Sequence, residues 1–269
     1  MRTVTSKDGT TIAYDQSGEG PALIIVNGAS ATRGEGASLA DLLAPGITVI
    51  AYDRRGRGDS SDTAPYAVAR EVEDIAALLD AAGGSGYVMG HSSGAVLALE
   101  AARQLPGKIS KLVMYEPPFI IDDSRPPAPA DYEAHLEGLI AAGRRGDAMD
   151  YFMRYVGTPE EMIAGMRQSP YWPAMEQVAP TLVYDAKVMG DTQYGNLASL
   201  NKFAGVTTPA LVVDGSVLMG NAAAHVFLRH AADAIANVLP NAQRRTLEGQ
   251  DHGADPAVLA PVVKAFLVG

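Results

Sequence analysis

Apolar runs alternate with amphipathic stretches along most of the chain. Residues 22–26 form an uninterrupted apolar run, as expected of a central strand that is buried on both faces of a sheet. Further strands are predicted at residues 47–52, 87–89, 109–115, 210–214 and 244–247. Apolar positions at helical spacing predict helices between them, over residues 39–43, 71–82, 95–102, 222–238 and 257–267. After an Asp-Gly hairpin of residues 2–6 and 11–15, this alternation predicts βαβ units and a mainly parallel sheet.

The alternation of strands and helices stops after residue 118. A proline-rich connector follows at residues 125–129, and no strand is predicted in the stretch beyond it. Helices are predicted there over residues 131–145, 146–156, 159–168, 173–189 and 194–204. We therefore predict an α/β core of residues 1–118 and 206–269, interrupted by an all-helical cap of residues 119–205. Such an insertion is expected over the C-terminal edge of the sheet, where open α/β folds bind ligands.

Composition restricts the classes of function. The net charge of −10 argues against nucleic acid or an anionic membrane as a partner. The absence of cysteine excludes disulfides, thiolate metal sites and a cysteine nucleophile. The longest apolar run is too short to span a bilayer, and the N-terminus lacks the apolar segment of a signal peptide. We therefore expect a soluble, cytoplasmic protein.

A G-x-S-x-G motif at residues 90–94 carries the first candidate for chemistry. It lies between an apolar run and a helical run, and this order of strand, turn and helix is what a nucleophile elbow requires. The turn strains the backbone of its central residue, so the positions two residues away must lack bulk, as Gly90 and Gly94 do. The following helix directs free N–H groups at any oxyanion formed there. Ser92 is therefore the predicted nucleophile.

Together with other motifs in a fixed order, this one resembles the α/β-hydrolase family over nearly the whole chain. Residues 28–29 resemble the family's oxyanion loop, and residues 53–60 resemble its D-x-R-G-x-G-x-S loop. Residues 209–215 resemble the strand that usually precedes the catalytic acid, and residues 249–252 lie where the family places its catalytic histidine. The resemblance implies an α/β-hydrolase fold with a mainly parallel central sheet, flanking helices and a helical cap. It also implies a Ser-His-acid triad that needs no metal or organic cofactor.

His252 is the best candidate among the five histidines for the base that activates Ser92, because it follows a strand and a glycine in the final βα loop. The side chain of His91, although next to the nucleophile, should point away from it. We expect surface or core roles for the remaining histidines, which are His91, His135, His225 and His230.

The chain departs from the family pattern at the carboxylate. Family members usually carry an aspartate shortly after the position of Gly215, but residues 216–219 contain no acid. Glu116 follows the preceding strand directly, and haloalkane dehalogenases resemble such an arrangement, so Glu116 is the first choice for the triad acid. Asp214 is the second choice and Asp251 the third. A fourth alternative is that no acid completes the triad.

The oxyanion hole is expected to follow from the nucleophile turn. One donor would be the backbone N–H of Ser93, and the second an N–H of the loop after the third strand, with Ala29 as the candidate. Asn27 stands where many members of the family have histidine, and either a loop-closing or a direct role is open for it.

The predicted cap is rich in methionine and aromatic residues, most of which should pack its own core. The others, together with Phe119 and Met219, are expected to line an apolar cavity of adaptable shape. For Arg125, Arg154 and Lys187 we expect solvated charges rather than contact with a substrate anion.

These features predict a serine hydrolase that cleaves a carboxylic ester, lactone or thioester of a small, mostly apolar molecule. We expect a monomer or homodimer that binds neither nucleic acid nor membrane. Three other reactions on the same site stay open: C–C bond hydrolysis, cofactor-free peroxidation and biosynthetic cyclisation. So does a non-catalytic binder of small molecules. The resemblance implies an aspartate at the nucleophile position for dehalogenases and epoxide hydrolases. A serine at this position therefore argues against both of these reactions.

Overall fold

The computed structural model describes residues 1–217 and 222–269. Within them, eight strands form one sheet: β1 (Arg2–Thr5), β2 (Thr11–Ser17), β3 (Ala22–Val26), β4 (Thr48–Tyr52), β5 (Gly86–His91), β6 (Ile109–Tyr115), β7 (Ala210–Gly215) and β8 (Ala242–Leu247). Their order across the sheet is β1-β2-β4-β3-β5-β6-β7-β8. Only β2 pairs antiparallel with its two neighbours, and the remaining described pairs are parallel. The prediction of a mainly parallel sheet is confirmed.

Helices connect the strands and cover the sheet. In chain order they are α1 (Ala37–Leu43), α2 (Val68–Ala81), α3 (Ser93–Gln104), α4 (Tyr132–Ala141), α5 (Arg145–Tyr155), α6 (Glu160–Arg167), α7 (Trp172–Val178), α8 (Leu182–Met189), α9 (Ala222–Val238) and α10 (Pro256–Val268). Over residues 1–217 and 222–269, none of them combines the length and hydropathy that crossing a bilayer requires.

The burial of β3 on both faces explains why its sequence is an uninterrupted apolar run. All five of its residues are buried, and successive side chains enter opposite layers. Ile24 and Val26 pack in the cluster that α2, α3 and α9 cover. Leu23 and Ile25 pack in the second cluster, under α1 and α10. Burial on both faces removes the alternation of polar and apolar positions that a half-exposed strand shows.

Between β6 and β7, a stretch that the structure describes in full, the chain forms only helices and 3-10 turns. Helices α4 to α8 enclose a hydrophobic cluster of their own, in which Met149 and Trp172 are buried. At the two ends of the segment, Phe119 and Phe203 instead pack in the core of the sheet, with ring centroids 6.3 Å apart. The division of the chain at residues 119 and 205 stays a prediction.

Three of the predicted cap helices are wrong in extent or type. Residues 173–189 do not form one helix, because the 3-10 turn Ala179–Thr181 separates α7 from α8, and Pro180 within it has no amide hydrogen to donate. The helix predicted over 131–145 ends at Ala141, before Gly143 with its positive φ. The helix predicted over 194–204 is the 3-10 helix Leu197–Phe203, which lies between two glycines.

Candidate active site

Ser92 lies on the turn between β5 and α3. Its φ of 56° and ψ of −129° belong to a region that residues with a side chain avoid. A Cβ atom at Gly90 would lie 2.2 Å from the carbonyl oxygen of Gly94, and one at Gly94 would lie 2.2 Å from that of Val26. Both positions therefore admit only glycine. The motif brings the strand, the turn and the end of β3 together around the serine.

Glu116 follows β6 directly, and its buried carboxylate is engaged through both oxygens. Oε1 accepts a hydrogen bond from the amide of Gly215 at the end of β7, at 2.9 Å. Oε2 lies 2.6 Å from Nδ1 of His252. Since a carboxylate only accepts hydrogen bonds, the shared proton resides on Nδ1 and leaves Nε2 of His252 available as a base. The structure thus brings the first-choice acid into contact with the candidate base.

The two other candidate acids are engaged elsewhere. Asp214 is buried and binds Arg244 at 2.8 Å. Burial alone would raise the pKa of Asp214, but hydrogen bonds from Arg244 and Thr246 hold it below its ordinary value. The carboxylate of Asp251 accepts a hydrogen bond from the amide of Gly253. In the described part of the chain neither acid contacts the candidate imidazole, so the geometry does not support the second and third choices.

Ser92 and His252 line the same cavity, which has a volume of about 400 Å³. The side chain of His252 is 33% exposed, so its imidazole is accessible. Over residues 1–217 and 222–269 no hydrogen bond joins the Ser92 hydroxyl to the imidazole. Catalytic hydrogen bonds of this type are often long until substrate is bound. The serine and the His252–Glu116 pair therefore share one cavity that could hold a substrate.

His91 holds the loop that carries His252, a role that the sequence analysis missed. Its Nε2 donates to the backbone oxygen of His252 at 2.8 Å, and the two rings lie 4.6 Å apart. Burial, reinforced by the neighbouring His252, lowers the pKa of His91 to about 3, so the ring is neutral. The tight approach of Gly215 to Gln250 and the hydrogen bond from the hydroxyl of Tyr115 to the next residue fix the same loop. The expectation that the His91 side chain points away from Ser92 stays a prediction.

Two of the remaining histidines contact residues that do not line the cavity. His135 is exposed and lies against Tyr151, and His230 binds Asp122 at 2.6 Å. The side chain of His225 lies outside the described residues. These positions agree with the expected surface roles of His135 and His230.

We expect the substitution His91→Gln to reduce the loss of stability in acid. The pKa of His91 is about 3 in the folded protein and about 6.5 in an unfolded chain, so the unfolded state binds the extra proton between these values. The stability linked to this group is complete above the unfolded pKa and is lost as the pH falls toward 3. Its slope is at most about 1.4 kcal/mol per pH unit. Glutamine keeps an N–H donor for the backbone of His252 and does not titrate.

Urea denaturation between about pH 4 and pH 7 measures this slope. The matched control is His135→Gln, which removes an exposed histidine and should leave the slope of the wild type intact. Equal slopes in wild type and His91→Gln would show that the half-buried ring gains a proton without cost.

The loop after β3 lies against the nucleophile. A Cβ atom on Gly28 would be 3.0 Å from Cβ of Ser92. The carbonyl oxygen of Gly28 accepts a hydrogen bond of 2.6 Å from Arg57. In a trans peptide the N–H points opposite to the carbonyl, so this bond turns the amide of Ala29 away from Arg57. Ala29 and Ser93 both line the cavity, and their predicted role as oxyanion donors stays a prediction.

Asn27 closes this loop. Its side-chain amide donates to the backbone oxygen of Thr32 at 2.9 Å. Of the two roles that the sequence left open, the contacts favour the structural one.

Asp185 of helix α8, within the predicted cap, contacts residues that follow β4 and the nucleophile. Its buried carboxylate binds Arg54 and Arg57 at 2.6 Å each, and it accepts a hydrogen bond of 2.8 Å from the hydroxyl of Ser93. Burial alone would raise the pKa of Asp185, but the two guanidinium groups and the hydroxyl hold it below its ordinary value. This residue was not predicted from the sequence. The available signal was one acid on an otherwise apolar face of a predicted helix, with Leu182 as its neighbour.

The cavity walls are mostly apolar. The helices between β6 and β7, together with α9, contribute several large side chains, including Phe152, Tyr155, Met162, Met189 and Phe227. Phe119, which was expected to line the cavity, is instead buried in the core of the sheet. It follows the end of β6 by only a few residues in sequence and therefore stays close to the sheet. Met219 lies outside the described residues. In residues 1–217 and 226–269, His, Asp and Glu side chains form no group that could hold a metal ion.

The sheet order, the helical segment inserted after β6 and the serine on the turn after β5 define an α/β-hydrolase fold. The sequence profile of the α/β-hydrolase family matches residues 23–262, and the chain belongs to this family. The predictions of fold class and family are confirmed.

Known relatives agree with this assignment. A non-heme chloroperoxidase from Streptomyces lividans is 27% identical across 99% of this chain and 99% of its own length. The crystal structure of an α/β hydrolase from Sphaerobacter thermophilus DSM 20745 has a TM-score of 0.89 at 50% identity, covering 98% of this chain and 99% of that one. The enol-lactonase from Burkholderia xenovorans LB400 has a TM-score of 0.70 at 18% identity over 100% of both chains. That last likeness concerns the fold alone.

Proposed function

We propose that the protein is a serine hydrolase that cleaves a carboxylic ester, lactone or thioester of a small, mostly apolar molecule. The observation that carries the proposal is the 2.6 Å contact between Glu116 and His252 in the cavity that Ser92 lines. The strained backbone of Ser92 and the family of the chain support it further.

In the proposed reaction, Nε2 of His252 takes the proton of the Ser92 hydroxyl while the oxygen attacks the substrate carbonyl. The buried carboxylate of Glu116 stabilises the imidazolium that forms. The amides of Ala29 and Ser93 donate to the oxyanion, a contribution of about 3–4 kcal/mol for each donor. His252 then protonates the leaving alcohol or thiol, and the acyl group stays on Ser92. Water, deprotonated by His252, releases the acid, and the serine recovers its proton.

The walls of the cavity support an apolar substrate. A volume of about 400 Å³ lies within the range of sites for small molecules. The flexible side chains of Met162 and Met189 would adapt to the shape of an acyl chain. The reaction itself requires no metal or organic cofactor.

A second candidate function is cofactor-free peroxidation at the same site, and the full-length relative named as a non-heme chloroperoxidase favours it. In that reaction hydrogen peroxide replaces water as the second nucleophile, and the acyl group leaves Ser92 as a peracid. Formation of peracid from a short carboxylic acid and hydrogen peroxide at a rate above ester hydrolysis would favour this candidate over the first.

Labelling with a fluorophosphonate tests the proposal, because the reagent reacts much faster with an activated serine than with other hydroxyl groups. We expect the intact mass of the wild type to increase by one label and that of Ser92→Ala to stay unchanged. The matched control is Ser93→Ala, which keeps the backbone N–H and should still take up one label. Peptide mapping should locate that label on Ser92.

A label that persists in Ser92→Ala would contradict the proposal, as would a label on another serine. A folded wild type that takes up no label, yet binds apolar ligands, would instead favour a non-catalytic binder.

A further inference from the structure

Arg125 lines the candidate active-site cavity without a carboxylate partner. Its half-buried guanidinium lies 4.8 Å from the ring centroid of Tyr155 and 4.6 Å from that of Phe227. One of its five N–H donors is hydrogen-bonded to the backbone oxygen of Tyr155. In residues 1–217 and 222–269 no side-chain oxygen accepts from the others. The sequence of residues 218–225 contains no aspartate or glutamate that could do so.

The two other cationic residues singled out in the cap differ from Arg125. Arg154 makes a two-pronged contact with Glu160, at 2.6 and 2.9 Å. Lys187 binds Glu137 at 2.9 Å. Both are charges near the protein surface, as the sequence predicted, and neither lines the cavity. For Arg125 the expectation of a solvated charge is wrong.

The chain around Arg125 is held in place. Prolines precede and follow Ala128, whose amide donates to the backbone oxygen of Gln193 at 2.9 Å. Burial lowers the pKa of Arg125, and among the described residues no ionic partner offsets this cost. The guanidinium is therefore fixed between two aromatic rings, partly dehydrated and still cationic. Such a group binds a planar anion at little cost in side-chain entropy.

The acidic groups of the same cavity do not offset this charge. Glu116 is paired with His252, and Asp185 is paired with arginines of the core. Glu35 is the remaining acid of the lining; burial raises its pKa, and its Oε1 accepts a hydrogen bond from the amide of Thr32.

We propose that Arg125 is a binding site for a carboxylate of the substrate, so that the preferred substrate is an ester, lactone or thioester whose acyl part also carries a carboxylate. This inference rests on the proposed function, since it adds a second recognition point to the site of Ser92. The apolar walls would contact the chain between the two carbonyl groups, and the guanidinium would bind its free end. Arg125 acts in this scheme as a specificity residue that takes no part in proton transfer.

The test compares two series of 4-nitrophenyl esters of matched length: monoesters of dicarboxylic acids from succinate to suberate, and esters of the corresponding monocarboxylic acids. The quantity measured is the ratio of kcat/KM for the acidic ester to that for the neutral ester. We expect the wild type to prefer the acidic ester at one or more lengths. We expect Arg125→Met to lower the ratio at that length by about 10- to 100-fold. Arg125→Lys, which keeps the charge but loses the planar fork, should give an intermediate ratio.

The matched control is Arg154→Met, which removes a cap arginine outside the cavity and should leave the ratio unchanged. A wild type that hydrolyses the esters but prefers no acidic ester overturns the inference. A ratio that Arg125→Met leaves unaltered also overturns it, since Arg125 would then only pack between the rings of Tyr155 and Phe227.

Equilibrium binding separates this inference from the proposed function. Ser92→Ala, with and without Arg125→Met, is titrated with the same esters by calorimetry. If the wild type hydrolyses neither series but binding of the acidic ester depends on Arg125, the hydrolase proposal fails and the carboxylate site stands. If binding does not depend on Arg125, the carboxylate site is disproved whatever the turnover.

Discussion

Replacing Glu116 with glutamine is expected to lower kcat for ester hydrolysis by about 10³- to 10⁴-fold while the protein stays folded. Both carboxylate oxygens accept a hydrogen bond, one from the amide of Gly215 and one from Nδ1 of His252. A glutamine side chain offers only one oxygen, so its NH₂ group must face one of these two donors. If it faces His252, the proton moves to Nε2, and the imidazole can no longer accept the proton of Ser92. In either orientation the negative charge that stabilises the imidazolium is lost.

The rival acid provides the matched control for this prediction. Asp214→Asn removes an equally buried carboxylate from the end of the neighbouring strand, but one that binds Arg244. We expect Asp214→Asn to cost stability and to change kcat by less than about 10-fold, because no reacting atom contacts it. Rates of 4-nitrophenyl butyrate hydrolysis and circular dichroism spectra of the three proteins decide the matter. A loss of kcat in Asp214→Asn that equals the loss in Glu116→Gln would refute the assignment of Glu116.

The position of Glu116 shows what the sequence could and could not predict about the site. The carboxyl ends of parallel neighbouring strands meet at one edge of the sheet, so an acid directly after β6 was expected near the loop after β8. Two acids at adjacent strand ends satisfy this rule equally, and their order in sequence does not distinguish them. The positive φ of Glu116 and the amide of Gly215 direct the Glu116 carboxylate to His252. The carboxylate of Asp214 binds Arg244 instead.

The elements of the sheet were predictable for a simpler reason. Burial on both faces leaves a run of apolar residues whatever the neighbours are, and β3 was predicted with the bounds that it has. The cap was harder, because helical spacing alone does not reveal where Pro180 interrupts a helix or where a short segment becomes 3-10. The roles of His91 and Arg125 depend on loops that approach from distant parts of the sequence. No local pattern encodes such contacts.

Asp185 lies 131 residues from Arg54 in sequence, so no local pattern shows which side chains its carboxylate binds. We expect the substitution Asp185→Asn to lower the free energy of unfolding by about 3–5 kcal/mol. The substitution leaves Arg54 and Arg57 buried with one carboxylate fewer between them. Arg54 keeps its two bonds to Glu71, so Arg57 loses its only carboxylate among the described residues.

The same substitution should also affect the chemistry, because Arg57 holds the carbonyl of Gly28 and thereby orients the amide of Ala29. Asp185 in addition accepts from the hydroxyl of Ser93, whose amide is the other proposed donor. In the folded fraction we therefore expect kcat to fall while KM changes little, the pattern for an interaction made only in the transition state. Since these bonds link helix α8 to both proposed donors, the predicted cap would take part in forming the oxyanion hole.

Urea denaturation and steady-state kinetics on the same preparations test both effects. The matched control is Asp191→Asn, which removes an exposed cap acid paired with Lys202 and should cost less than about 1 kcal/mol. Ser93→Ala removes only the hydroxyl contact of Asp185, so it separates that contribution from the ion pairs. If Asp185→Asn destabilises no more than Asp191→Asn, the buried pairs contribute nothing beyond a surface pair. A loss of stability with an unchanged kcat would confine Asp185 to holding the cap and would leave the oxyanion amides to be oriented by the turn and the loop alone.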